Sequence, residues 1–292
     1  MKLGLGTVQF GLNYGISNAT GQIPPSEANR IINCALDAGI DLLDTAPVYG
    51  DSEQVLGTLL PKNCRAKLIT KTPQFRSPTI TENDVDALVK SALESLRKLG
   101  VRSIYGLMTH WVDDLFAVGG TRLFEAMLDL KARGLVEKLG VSVYSFDQIQ
   151  RVLERFDIDL IQLPLNVLDQ RLLTSGALTA LKRKGIEIHS RSAFLQGLLL
   201  MDTARLTPYF DDIRSELIRY QHWLRSNQLT PTEGALAFIR TVSEIDYVMI
   251  GVTSVTELKE LLLAWDKQSP AELDFSSFAC TQEHIVNPMM WK

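Results

Sequence analysis

Eight short apolar runs recur along the chain, each followed by a helical stretch or a polar loop, and this alternation limits the fold more than any other property. The runs predict strands at Lys2–Leu5, Ile40–Leu43, Lys67–Thr70, Ile104–Met108, Lys138–Val141, Leu160–Leu163, Ile186–His189 and Tyr247–Ile250. Helical patterns lie between them at Pro25–Ala38, Ser52–Leu60, Thr81–Leu99, Leu123–Arg133, Phe146–Phe156, Ser175–Lys184 and Val255–Trp265. In the third helix Val85, Leu88, Val89, Ala92, Leu93 and Leu96 fall three and four apart, which gives it one apolar face. Gly39, Gly100, Gly134 and Gly185 each stand where a left-handed cap would turn a helix back towards the next strand. Eight strands with about one helix each predict a closed (β/α)8 barrel, an α/β TIM barrel, rather than an open doubly wound sheet. The one long connection, residues 192–246, carries two further helical patterns at Asp212–Ser226 and Thr232–Val242. No linker, biased segment or repeat divides the chain, so residues 1–292 are expected to form one domain.

Composition removes several classes of function. A hydrophobic share of 46% in 292 residues is enough for a large core. The formal net charge of −4, without a basic run, argues against nucleic acid as a partner. The greasiest stretch, Phe194–Met201, is far shorter than the ~18 residues of a membrane-spanning helix. Met1–Gly6 runs into a strand pattern without the apolar region of a signal peptide. Cys34, Cys64 and Cys280 fall in no ligand spacing, and Cys34 lies in a helical pattern as a core residue. They read as reduced thiols of a cytoplasmic protein that carries no metal.

In a barrel of this kind chemistry gathers where the strands end. Asp44 follows the second apolar run, and Tyr49 lies in the next loop, which Pro47 and Gly50 keep out of helix. Lys71 follows the third run and His110 the fourth; Ser142, Gln162, Pro164, Arg191 and Ser192 mark the next three. Each has an ordinary explanation taken singly. Asp44 would cap the helix from Ser52, Tyr49 would pack, Lys71 would be solvated, and His110 would be a core histidine. Together they are the parts of a tuned proton donor. A free phenol titrates near pH 10, and a neighbouring ammonium would lower that value, with Asp44 holding the ammonium in place. His110 would orient a carbonyl oxygen. His189, inside the seventh run, reads as a barrel-interior residue.

The segment Asp44-Thr45-Ala46-Pro47-Val48-Tyr49-Gly50-Asp51-Ser52-Glu53-Gln54-Val55-Leu56-Gly57 resembles the DTAxxYGxSExxLG signature of the aldo-keto reductase superfamily, and the resemblance runs from Gly4-Leu5-Gly6-Thr7 to Ile250-Gly251. It implies a barrel oxidoreductase that transfers hydride reversibly between NADP(H) or NAD(H) and an aldehyde or ketone. The family's catalytic tetrad carries over onto Asp44, Tyr49, Lys71 and His110. Gly140-Val141-Ser142 is similar to the family's GVSN motif, with Val143 in place of Asn. Ser142 and Gln162 would then hold the nicotinamide carboxamide, and Arg191 would replace the aromatic residue that stacks on the ring. Ser192, Leu195 and Gly197 match the region over the pyrophosphate, and Gly251, Thr253 and Ser254 the adenosine-phosphate site. The basic residues that usually clamp a 2′-phosphate are missing there, Glu257 stands at one such position, and Lys259 is close by. This implies weak discrimination against NADH, up to a preference for it.

The alternative on the same barrel is an NAD(H)-binding redox sensor read by a protein partner. Gly4, Gly6, Gly11 and Gly15 lack G-x-G-x-x-G spacing and read as turns or close approaches. Tyr14 and Trp111 would line a substrate pocket or pack. The tail Pro270–Lys292, with Phe275, Phe278, Met289, Met290 and Trp291, would form an apolar lid or dock on the barrel wall.

Overall fold

A computed structural model of the chain describes residues 1–267 and 273–291. Parallel strands β1 (Lys2–Gly6), β2 (Leu42–Asp44), β3 (Lys67–Lys71), β4 (Ile104–Thr109), β5 (Val136–Ser142), β6 (Leu160–Pro164), β7 (Glu187–Arg191) and β8 (Tyr247–Ile250) close into a barrel in chain order. Asp44, Lys71, Ser142 and Arg191 are the last residues of their strands, not the loop residues beyond them. The second strand starts later than its apolar run, because Ile40 N–H is bonded back to Ala35 O (2.9 Å) and still belongs to the helix cap.

Alternation along the strands sorts side chains into two cores. Outward residues such as Leu5, Leu43, Leu107, Ile161 and Ile188 pack under the helices. Leu42, Ile69, Met108, Leu160 and Met249 fill a separate inner layer. Beneath that layer, where strands begin, Glu187 accepts from Tyr105 (2.6 Å) and pairs with Lys138 (2.7 Å). His189 is wholly buried there, its Nε2 2.6 Å from Glu187, so it is a barrel-interior residue as expected. Above the inner layer, where strands end, lie Asp44, Lys71, Ser142, Gln162 and Arg191.

Gly39, Gly100, Gly134 and Gly185 all take positive φ between helix and strand. The helix expected at Ser175–Lys184 spans Ala177–Arg183, and Gly176 at φ +75 separates it from a short helix at Arg171–Thr174. In the long connection the helices span Asp211–Ser226 and Pro231–Arg240. The second begins earlier than its apolar pattern, since Thr230 and Glu233 form a capping box before Pro231. The tail docks on the wall. Phe275 lies against Trp223 (4.9 Å between rings) and Phe278 against Tyr220 (5.1 Å), while Gln170 donates to Phe275 O (2.8 Å). Trp291 meets Phe210 edge-on, and Met289 and Met290 are exposed. Pro270 and Lys292 lie outside the described residues. Among the described residues no helix is long and apolar enough to cross a membrane.

Candidate active site

Barrel closure brings three strand ends together around one ion pair. Lys71 Nζ donates to both carboxylate oxygens of Asp44 at 2.8 Å and to Thr45 O at 2.9 Å. Asp44 also accepts from Gln162 Nε2 at 3.2 Å, across the barrel from β6. The two charged side chains are only 1% and 8% exposed, so each depends on the other to remain charged. Asp44 does not cap the following helix; Asp51 occupies that position.

Tyr49 is held by a scaffold drawn from both sides of its loop. Ser52 Oγ donates to Thr7 O (2.8 Å) and bonds the Thr7 and Thr45 hydroxyls (2.8 and 3.1 Å), tying the loop to β1. Glu53 is buried and accepts from Thr70 Oγ1 at 2.6 Å, which ties the same segment to β3. Gly11 is the close approach: a Cβ there would lie 1.8 Å from Tyr49 O, so any larger residue would push the loop away. Thr7, Gly11, Ser52 and Glu53 therefore place the phenol without touching its hydroxyl.

Around that phenol burial favours the neutral form of each titratable group. Lys71 Nζ is 5.1 Å from the centre of the Tyr49 ring, and the His110 ring meets it edge-on at 5.9 Å. The phenol's pKa is nevertheless driven above its ordinary value, first by burial and then by the Asp44 carboxylate. This reverses the expectation of a lowered value: desolvation and the carboxylate outweigh the opposing charge of Arg191. Burial lowers the Lys71 pKa while Asp44 works against that fall. His110 is pushed down to about 3 by burial and by the charges of Lys71, Arg191 and Arg76. The imidazole is neutral at pH 7, and its buried Nδ1 has no partner among the described residues.

The other half of the mouth is differently built. Ser142 and Gln162 are register partners on β5 and β6, both buried. Arg191 donates to Val143 O at 3.1 Å, and its guanidinium lies 4.0 Å over the Tyr144 ring. After β7, Ser192, Leu195, Gln196 and Gly197 all take positive φ. The loop after β1 crosses this segment: Ile16 N–H donates to Gln196 O (3.2 Å) and Gln196 Nε2 to the Tyr14 hydroxyl (3.2 Å). A Cβ on Gly197 would meet Ser17 Oγ at 1.9 Å, so the crossing requires glycine there. Beneath it, Gly251 faces the Gln9 amide, whose buried Oε1 is without a partner among the described residues.

At the start of helix Val255–Asp266 two carboxylates accept from three donors. Glu257 accepts from Thr253 N–H (2.6 Å) and Thr253 Oγ1 (2.9 Å), and Ser254 Oγ caps Glu257 N–H (3.1 Å). Glu27, from the first long helix, accepts from Val255 N–H at 2.7 Å. The pairing of Glu27 with this helix spans the whole chain and leaves no local motif.

The aldo/keto reductase family model matches residues 2–275, and the chain belongs to that family, by family NAD(P)H-dependent oxidoreductases. It is 28% identical over 231 residues to aldo-keto reductase YhdN of Bacillus subtilis, covering 75% of this chain and 66% of that protein. It is 32% identical over 136 residues to a 6-dehydroglucose reductase of Novosphingobium aromaticivorans, covering 43% and 44% of the two chains. The aligned parts are thus less than two thirds of either relative's own length. The holo form of aldo-keto reductase AKR11C1 from Bacillus halodurans superposes with a TM-score of 0.76 at 21% identity, over 97% of this chain and 94% of that one, which shows the shared fold.

Proposed function

We propose that the chain reduces the carbonyl group of an aldehyde or ketone, reversibly, with Tyr49 as the proton donor. The observation that carries this reading is the buried Lys71–Asp44 pair set against the face of Tyr49, with neutral His110 at the phenol's edge. A bound nicotinamide cofactor would supply the hydride to the carbonyl carbon. Tyr49, protonated at pH 7, gives its proton to the carbonyl oxygen and regains one afterwards. His110 holds that oxygen by a hydrogen bond from the neutral ring. Lys71 faces the phenolate left behind and stabilises it at the moment of transfer, while Asp44 keeps the ammonium charged and fixed. Oxidation of the alcohol runs the same steps backwards and needs Tyr49 deprotonated, which its raised pKa resists.

The donor set fits the cofactor at one end. Ser142 and Gln162 would hold its carboxamide, the segment of Ser192, Leu195 and Gly197 its phosphates, and Gly251, Thr253 and Ser254 its adenosine part. A 2′-phosphate does not fit the donors of Thr253, which Glu257 already occupies, and Glu27, itself paired with Arg30 at 2.7 Å, takes the Val255 N–H. We therefore assign the site to NAD(H) in preference to NADP(H).

Steady-state assays over a panel of aldehydes and ketones test the chemistry. Wild-type turnover should exceed that of Tyr49→Phe by about 10²–10⁴-fold, the usual contribution of a general acid. Equal rates for the two would remove the enzyme reading and leave the redox sensor with a protein partner.

A further inference from the structure

We infer that Arg191 selects the substrate by receiving an oxyanion group, carboxylate or phosphate, carried by the carbonyl compound. This rests on the carbonyl-reductase reading above and names the substrate class for the same site.

Arg191 ends β7 and belongs, with Glu187 and His189, to the strand's inward-facing set. Its backbone is fixed by Leu165 N–H donating to Arg191 O at 3.1 Å. One N–H of the guanidinium is spent on Val143 O, and one face rests on Tyr144 at 4.0 Å. These two contacts set the fork's orientation before any ligand arrives. Its other N–H groups have no partner among the described residues, and it forms no ion pair there. Asp44, the buried acid of the same mouth, is already engaged by Lys71.

The mouth therefore carries excess positive charge. Lys71 and Asp44 cancel, and Arg191 remains. A second guanidinium, Arg76, stacks on Trp111 at 4.5 Å, and the Asp114 carboxylate that accepts from its backbone N–H (2.8 Å) partly offsets its charge. The charges of both cations help to lower the His110 pKa, so they reach the imidazole proposed to hold the carbonyl oxygen. A partly desolvated guanidinium without a counter-charge is costly, and an anionic ligand offsets that cost while using the fork's geometry. A neutral carbonyl compound would gain none of this. Stacking of Arg191 on the nicotinamide is the competing role, and it makes a different prediction.

Two substrate pairs separate the cases: succinic semialdehyde against butanal, and glyceraldehyde 3-phosphate against glyceraldehyde. Wild type should favour the anionic member of at least one pair about tenfold or more in kcat/KM, and the responding pair identifies carboxylate or phosphate. Arg191→Gln should cut that preference by about 10–150-fold, the worth of a charge-assisted hydrogen bond. Arg191→Lys should keep part of it. Calorimetric titration of succinate and inorganic phosphate into the protein alone provides a readout independent of turnover: at least one should bind wild type and be lost in Arg191→Gln. No anion binding to wild type, or equal use of anionic and neutral members, overturns the inference. So does an unchanged preference in Arg191→Gln with weakened NADH binding, which would place Arg191 on the cofactor. Wild type inactive on every carbonyl yet binding anions through Arg191 would instead defeat the reductase reading alone.

Discussion

At the tips of β2, β3 and β4 the buried charges are matched: Asp44 has Lys71, and Lys71 also has Thr45 O. At the tip of β7 and in the loop after β8, where the charged side chains are less buried, they are not matched among the described residues. Arg191 sits without an acid, and Glu257 sits where the family resemblance calls for a base. The difference teaches how such a barrel divides its work. A proton donor must keep one fixed arrangement through the reaction, so its neighbours are satisfied internally. A ligand-binding half must leave charge unsatisfied, because the ligand is the missing partner. Choice of substrate and cofactor is therefore written in the residues whose charges the protein does not itself balance.

Breaking the matched half should have the largest effect. Lys71→Met leaves Asp44 buried without its counter-charge, and we expect a loss of about 3–5 kcal/mol in stability by urea unfolding. Lys71→Met combined with Asp44→Leu should recover much of that loss while remaining inactive. Equal stability of Lys71→Met and wild type would show that the pair is not the structural unit described.

The unmatched half should respond in binding rather than in stability. Glu257→Arg replaces the carboxylate on Thr253 by a cation, and the ratio of NADPH to NADH affinity should rise about 10–100-fold, or ~1.4–2.7 kcal/mol. Thermal melting of the same variant should fall only modestly, by the loss of about 1 kcal/mol of capping at the helix start, because Glu257 is at the surface. A large drop in melting temperature without a change in cofactor ratio would make Glu257 a helix-capping residue only.

The smallest effect is an expected flatness. His110 titrates at about 3, so the imidazole stays neutral through ordinary pH. The raised phenol stays protonated over the same range. Reduction should therefore keep a nearly constant kcat/KM between about pH 5 and pH 9, while alcohol oxidation should climb with pH as Tyr49 begins to ionise. A break near neutral pH that disappears in His110→Gln would contradict the neutral imidazole.

Much of the matched half was legible in the sequence, because each of its members ends or follows an apolar run. Asp44, Lys71 and His110 needed only the strand pattern, and Tyr49 needed the Pro47 and Gly50 loop. The barrel itself followed from the same rhythm. What stayed hidden depends on contacts that form only when the barrel closes. Thr7 meets Ser52 over 45 residues, and Glu27 meets Val255 over 228. Ser17 shapes Gly197 across the mouth, and Tyr144 supports Arg191 from the loop after β5. The direction of the Tyr49 shift was misread for a related reason. Residue types reveal which charges are near, but not how deeply the phenol is buried, and burial decides the sign.

Parallel titrations of NADH and NADPH into the wild-type protein, followed by quenching of its tryptophan fluorescence, test the contrast between the two halves most directly. NADH should bind at least as tightly as NADPH, since Glu257 and Glu27 hold donors at the start of helix Val255–Asp266. NADPH binding more than about tenfold tighter would contradict it.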